Sequence, residues 1–325
     1  MKTKFSGYYN LTDDEVSDLW KNCVFVLDTN VLLDLYRLSP EVQNVLWEIL
    51  DKIKERIWIP YQVAEEYHRN ILDVIIGQAK KCDDAITDLE KLKNKVSQCF
   101  TEGRNFPYIE KSLQKKIVDA CEEVSESIKK EKETIDDLIL NNPTKEKLSS
   151  LLVNKVGERF SENELNDIYK EGEKRYKRKI PPGYADTKPK EGDNIYGDLV
   201  IWKEIIKYAK NNEKDIILVT SDNKEDWFNK KYKGKTTGPR CELRMEFKQE
   251  TSKMYYAYSL SSFFEKASKY LNINGQIESD VIDEVVCFSS EETESTSTII
   301  DGNTDSIDNL NYKCSDIDNI SESKL

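Results

Sequence analysis

No two of the seven cysteines form a CxxC pair, and the chain has a single histidine, His68. Neither a zinc site nor a thiol–disulfide motif is indicated. Scattered thiols fit a reducing compartment, so a cytoplasmic protein is expected. No run of about 18 apolar residues occurs, and no membrane helix is predicted. The opening residues, MKTKFSGYYNLTDDEV, lack the apolar core of a signal peptide. Gly234-Lys235-Thr236-Thr237 lacks the upstream glycine spacing of a phosphate-binding loop.

Charge of one sign is also unevenly spread. Residues 276–325 carry thirteen acids and two lysines, a net of −11, which leaves about −1 of the chain's −12 for the rest. Acidity therefore belongs to the end of the chain, and the folded part can still carry basic patches. Residues 276–325 are rich in Ser, Thr, Asp, Glu and Asn, a composition expected of a disordered tail.

What is present begins with VFVLDTN at 24–30: four apolar residues running into Asp28, Thr29 and Asn30. A second segment, IILVTSD at 216–222, repeats the pattern and ends in Thr220, Ser221 and Asp222. Buried strands that end in acids deliver them to the carboxyl edge of a parallel sheet, where open α/β folds place their ligands. Arg56-Ile57-Trp58-Ile59 predicts a further short strand stopped by Pro60, and 255–260 a fourth. Helices are predicted between them: one capped by Thr12 with Glu15 three residues on, one over 40–55 opened by Pro40, one starting near Gln62, and others over 195–210 and 261–271. From 77 to 180 the chain is dominated by Lys, Glu, Asp and aliphatic residues, with breaks at Phe106-Pro107 and Asn141-Asn142-Pro143. A helical insertion is expected there, a hairpin plus shorter helices, serving either as a solvated arm or as a coiled-coil surface for a protein partner or a homo-oligomer.

Four acids are candidates to converge at the carboxyl edge: Asp28, Asp222, Asp198 in the first turn of its helix, and Glu65 or Glu66 one turn past Pro60. Alone, each has an ordinary explanation as a helix cap, a turn residue or a solvated acid. Together they repel unless a cation neutralises them, and hard oxygen donors favour Mg²⁺ or Mn²⁺.

These segments resemble the PIN-like nucleases, in particular a bacterial PIN-like group formerly classed as a domain of unknown function. The matching stretches are VFVLDTNVLLDLYR (24–37), RIWIPYQVAEEYHRN (56–70), YGDLVIWKEII (196–206), ILVTSDNKEDW (217–227) and GKTTGPRCELRMEF (234–247). The resemblance covers roughly 8–75 and 190–271. It implies a three-layer α/β fold with a short parallel sheet, formed by 1–76 and 181–275 around the insertion at 77–180, with the disordered acidic tail beyond. It also implies a metal-dependent endonuclease that cuts single-stranded RNA and leaves a 5′-phosphate and a 3′-hydroxyl. Asp28, Glu66, Asp198 and Asp222 match the catalytic and metal-binding acids, with Glu65 the alternative to Glu66 and Asp226 a further outer carboxylate. Asn30 and Ser221 match the small polar residues that brace the first and last acids. No histidine base is needed, and His68 is expected to point away from Glu66.

Two basic clusters flank the acids, Lys174 to Lys179, and Lys224, Lys230, Lys231, Lys233, Lys235 and Arg240. The second follows Asp222 directly and is the expected nucleic-acid-binding set, with Trp227 a candidate to stack on unpaired bases. Three rival readings are a metal-dependent DNase or structure-specific nuclease, a non-catalytic interaction protein using the helical arm, and a phosphatase with an aspartyl nucleophile. The intact acid quartet weakens the second, and the missing acid two residues after Asp28 weakens the third.

Overall fold

A computed structural model describes residues 1–2, 4–99, 110–185, 195–232, 235–271, 273 and 279–294. The elements run α1 (Asp13–Asn22), β1 (Val24–Leu27), α2 (Thr29–Asp34), α3 (Pro40–Ile53), β2 (Ile57–Trp58), α4 (Tyr61–Cys99), α5 (Lys111–Asp137), α6 (Pro143–Leu151), α7 (Glu162–Lys177), α8 (Gly197–Asn212), β3 (Ile216–Thr220), β4 (Lys231–Tyr232), β5 (Lys235–Thr236), α9 (Cys241–Thr251), β6 (Tyr255–Ser259), α10 (Leu260–Tyr270) and α11 (Ser279–Glu294). The fold is mixed α/β, built on a four-stranded parallel sheet in the order β2-β1-β3-β6, with β4 and β5 forming a separate two-stranded ribbon. None of the described helices is long and apolar enough to cross a membrane.

Local chemistry sets the helix starts. Thr12 and Glu15 form the expected capping box on α1, Ser39 caps α3 ahead of Pro40, and Ser161 with Glu164 makes a second capping box on α7. Strands β1 and β3 are buried along their whole length because helices cover both faces of the sheet. Trp20, Phe25 and Phe263 pack on one side, and Trp202, Phe247 and Tyr255 pack together elsewhere in the core.

Two expected boundaries shift. The 77–180 segment is not one separate module. Leu148, Phe160, Leu165 and Ile168 join the main core, and Val156 bridges Ile59 beside β2. What projects is the hairpin of α4 and α5, because α4 runs unbroken from the edge of the sheet to Cys99. The acidic segment after 275 is not wholly without structure either. Val281, Ile282 and Val285 have helical spacing on α11, and Val285 is fully buried against the body, with α11 contacting α10 and α3. Residues 295–325 of the expected tail, and the expected break at Phe106-Pro107, lie outside the described residues.

Candidate active site: a ring of carboxylates at the switch point

From β1 the chain passes to β2 on one side, and from β2 it returns past β1 to β3 on the other, so the crevice between the ends of β1 and β3 is the topological switch point of the sheet. Leu27 pairs with Val219, which sets Asp28 beside Thr220. Asp28 caps α2 by accepting the Thr29 N–H at 2.7 Å, and its other oxygen accepts the Thr220 hydroxyl at 2.6 Å. Asn30 ties the two strand ends together. Its Oδ1 accepts the Ser221 N–H at 3.0 Å, and its Nδ2 donates to Thr220 Oγ1 at 3.3 Å.

The remaining acids follow in a chain of contacts. Glu66, in the second turn of α4, accepts the Thr29 hydroxyl at 3.0 Å and the Gln62 side-chain amide at 2.8 Å. It lies against Gly197, where a Cβ would stand 2.7 Å from Glu66 Oε1, so any larger residue there would displace the Glu66 carboxylate from the first turn of α8. The next residue is Asp198. Gly183, at φ +91°, packs against Asp198 and Tyr176: a Cβ there would stand 3.0 Å from the Asp198 Cβ and closer still to the Tyr176 hydroxyl. The Gly183 N–H donates to Asp226 Oδ2 at 2.8 Å, and the Ala185 N–H donates to the same oxygen at 3.2 Å. The charge of Asp222 in turn bears on both Asp226 and Asp28. Five carboxylates therefore form a ring linked through Thr29, Gly197, Gly183 and Thr220.

The electrostatics follow from crowding. Burial pushes the Asp28 carboxyl up to about 6, its hydrogen bonds from Thr220 and Thr29 oppose the rise, and the charges of Glu66 and Asp222 add to it. Asp226 is fully buried and also raised, mainly by burial, and its Oδ1 has no hydrogen-bond partner among the described residues. Lys224 answers part of this charge with a 2.7 Å contact from Nζ to Asp222 Oδ2. Among the described residues, no three acidic, His or Cys side chains stand close enough to share one ion in these rotamers. The donor set itself fits a hard divalent cation: carboxylate oxygens only, repelling one another, with one buried oxygen left unpaired among the described residues.

Other expected residues fall elsewhere. Glu65 turns outward to pair with Arg69 at 3.1 Å. The Ser221 hydroxyl donates to Asp34, a fully buried acid that also pairs with Arg37. His68 is exposed and lies against Tyr67. Trp227 is buried against Trp202 and is a core residue, not a stacking platform. In the basic set, Arg240 is held by both oxygens of Glu242 and by the Glu225 carbonyl, Lys224 is engaged by Asp222, and Lys230 is exposed. Lys231 and Lys235 lie on the β4–β5 ribbon, and Lys233 lies outside the described residues. In the first cluster, Arg175 is buried and neutralised by Glu171 and Glu246.

The sequence pattern did not single out Thr29, Gln62, Thr220, Asp34 or Glu204. Glu204 is buried and caps the start of α4 by accepting the Gln62 N–H at 3.1 Å. Burial pushes its carboxyl up to about 8. This cap fixes the helix that carries Glu66.

No curated protein and no solved structure matches the chain. The sequence profile described as the PIN-like domain matches residues 24–243, more than half of the chain, and includes every acid of the ring. The chain belongs to the PIN-like domain family.

Proposed function

We propose that the protein is a divalent-metal-dependent endonuclease acting on single-stranded RNA, with Mg²⁺ or Mn²⁺ as the cofactor. One observation carries this reading: acids from the end of β1, from α4 and α8, and from the turn after β3 close into one ring at the sheet's switch point, although they are up to 198 residues apart in sequence. A cation held by Asp28, Glu66, Asp198 and Asp222 would supply the charge that polarises a phosphodiester and lowers the pKa of an attacking water. The chain does the rest by positioning. Asn30 and Thr220 hold the ends of β1 and β3 in register, and Thr29 and Gln62 fix both oxygens of Glu66. Asp226 holds the 183–185 wall against Asp198. Lys230 and the lysines of the β4–β5 ribbon follow the last acid of the ring and support contact with a phosphate backbone.

The test is cleavage of end-labelled single-stranded RNA, single-stranded DNA and duplex, with Mn²⁺ or with EDTA, by the wild type and by Asp28→Asn and Asp222→Asn. Expected are cleavage of the single-stranded RNA, 5′-phosphate products, and loss of cutting in EDTA and in both variants. Cutting that survives in the variants, or no cutting of any substrate, overturns the catalytic reading. Cutting of DNA in preference to RNA overturns the substrate class alone.

A further inference from the structure

The α4–α5 hairpin is a two-stranded antiparallel coiled coil whose inner seam is already filled. On α5 the less exposed positions run Gln114, Val118, Cys121, Ser125, Ile128, Lys132 and Ile135, a strict 4-3 spacing toward α4. Two ion pairs lace the hairpin together, Lys93 to Glu122 at 2.6 Å and Lys132 to Asp83 at 2.7 Å. Away from seam and ion pairs lies a second apolar stripe that no described residue covers: Leu113, Ile117 and Val124 on α5, exposed by 49 %, 40 % and 47 %, and Leu92 on α4, exposed by 46 %. Val124 is about 200° around α5 from Glu122, and Leu92 about 100° around α4 from Lys93, which sets the stripe and the ion pairs on opposite faces of the hairpin.

We propose that this stripe is a dimer interface, and that its occupant is the same stripe of a second copy of the chain, packed antiparallel about a two-fold axis near Ile117–Ala120. Charge selects that occupant and that direction. Lys116 and Glu123 flank the stripe on one side of α5, seven residues apart, and both are exposed. An antiparallel two-fold sets Leu113 opposite Val124 and brings Lys116 of each copy beside Glu123 of the other, making two symmetric ion pairs. The Lys93–Glu122 pair places Leu92 level with Val124, so it covers Val124 of its own copy and Leu113 of the other. A parallel arrangement turns Lys116 toward the other copy's α4 and leaves both pairs unmade. Four apolar side chains per copy make a small contact beside the roughly 800 Å² per partner of a standard interface, so a concentration-dependent dimer is expected.

The inference extends beyond catalysis, because α4 is one continuous helix that carries Glu66 near its start and Leu92 about 39 Å further along. The dimer would hold two carboxylate rings at the far ends of a rigid rod. The test is sedimentation equilibrium of the full chain over a range of concentrations. The wild type should form a dimer, and Ile117→Glu should remain monomeric with an unchanged melting temperature. Lys116→Glu alone and Glu123→Lys alone should each weaken the dimer about tenfold, and the double variant should restore it. A wild type that stays monomeric up to its solubility limit overturns the proposal. So does a dimer indifferent to Ile117→Glu, or a double variant no tighter than the singles.

Discussion

Asp28→Asn should stabilise the metal-free protein while abolishing cleavage. The Asp28 carboxyl is pushed up from 3.8 to about 6, a difference worth about 3 kcal/mol. The sign follows from proton linkage. A carboxyl raised on folding binds more protons in the native state, so the penalty is absent below pH 3.8 and fully present above about pH 6. Asparagine carries no charge and escapes the penalty at every pH. Its amide nitrogen would face Thr220 Oγ1, which already accepts from Asn30 and from the Asp222 N–H. Disturbing that bond costs about 1 kcal/mol. The net gain is about 2 kcal/mol, or a melting temperature about 5 °C higher. The assay is differential scanning calorimetry in EDTA at pH 8 and at the lowest pH where the wild type stays folded. The gain should be large at pH 8, shrink toward low pH, and reverse when Mn²⁺ stabilises only the wild type. A variant less stable than wild type in EDTA at pH 8, or a gain that does not change with pH, would refute the account of an Asp28 carboxylate penalised by burial and by its acidic neighbours.

Arg175→Met leaves Glu246 without its bidentate partner beside Trp202, and chemical denaturation should show a loss of about 3–5 kcal/mol, with little recovery in Arg175→Lys. Glu204 is raised from 4.5 to about 8, so wild-type stability should fall as pH rises across that window, and Glu204→Gln should flatten the slope while changing little at pH 5. Asp226→Ala removes the acceptor of two backbone N–H groups and should lower the melting temperature and increase proteolysis near residue 184. Asp226→Asn keeps an acceptor oxygen and should remain within about 2 °C of wild type.

Much of the fold was legible from patterns that need no tertiary information. Val24–Leu27 and Ile216–Val219 are uninterrupted apolar runs, and only a strand covered on both faces buries such a run. Thr12 with Glu15 announces α1 through bonds made within one turn, and Pro40 announces α3 by its fixed φ. The acidic segment after 275 shows where composition misleads: averaged over fifty residues it hides the local spacing of Val281, Ile282 and Val285, which is enough to seat α11. Trp227 misled in the opposite direction, because an aromatic between lysines has the same local signature whether it faces a base or Trp202.

Local rules of this kind placed Asp28 and Asp222 at strand ends, since a strand's direction and length decide where its last residue falls. They had no bearing on whether Glu65 or Glu66 faces the ring. That depends on how α4 is rotated against α2 and α8, which the Glu204 cap and the bare Cα of Gly197 determine. Nor did they mark Asp34 and Asp226 as buried, because an acid becomes costly or useful only when distant backbone and side chains close around it. The strands and the residues available to the site are thus properties of short stretches of chain. The closing of the ring is a property of packing, because each of its links joins groups that meet only once the sheet and helices have assembled.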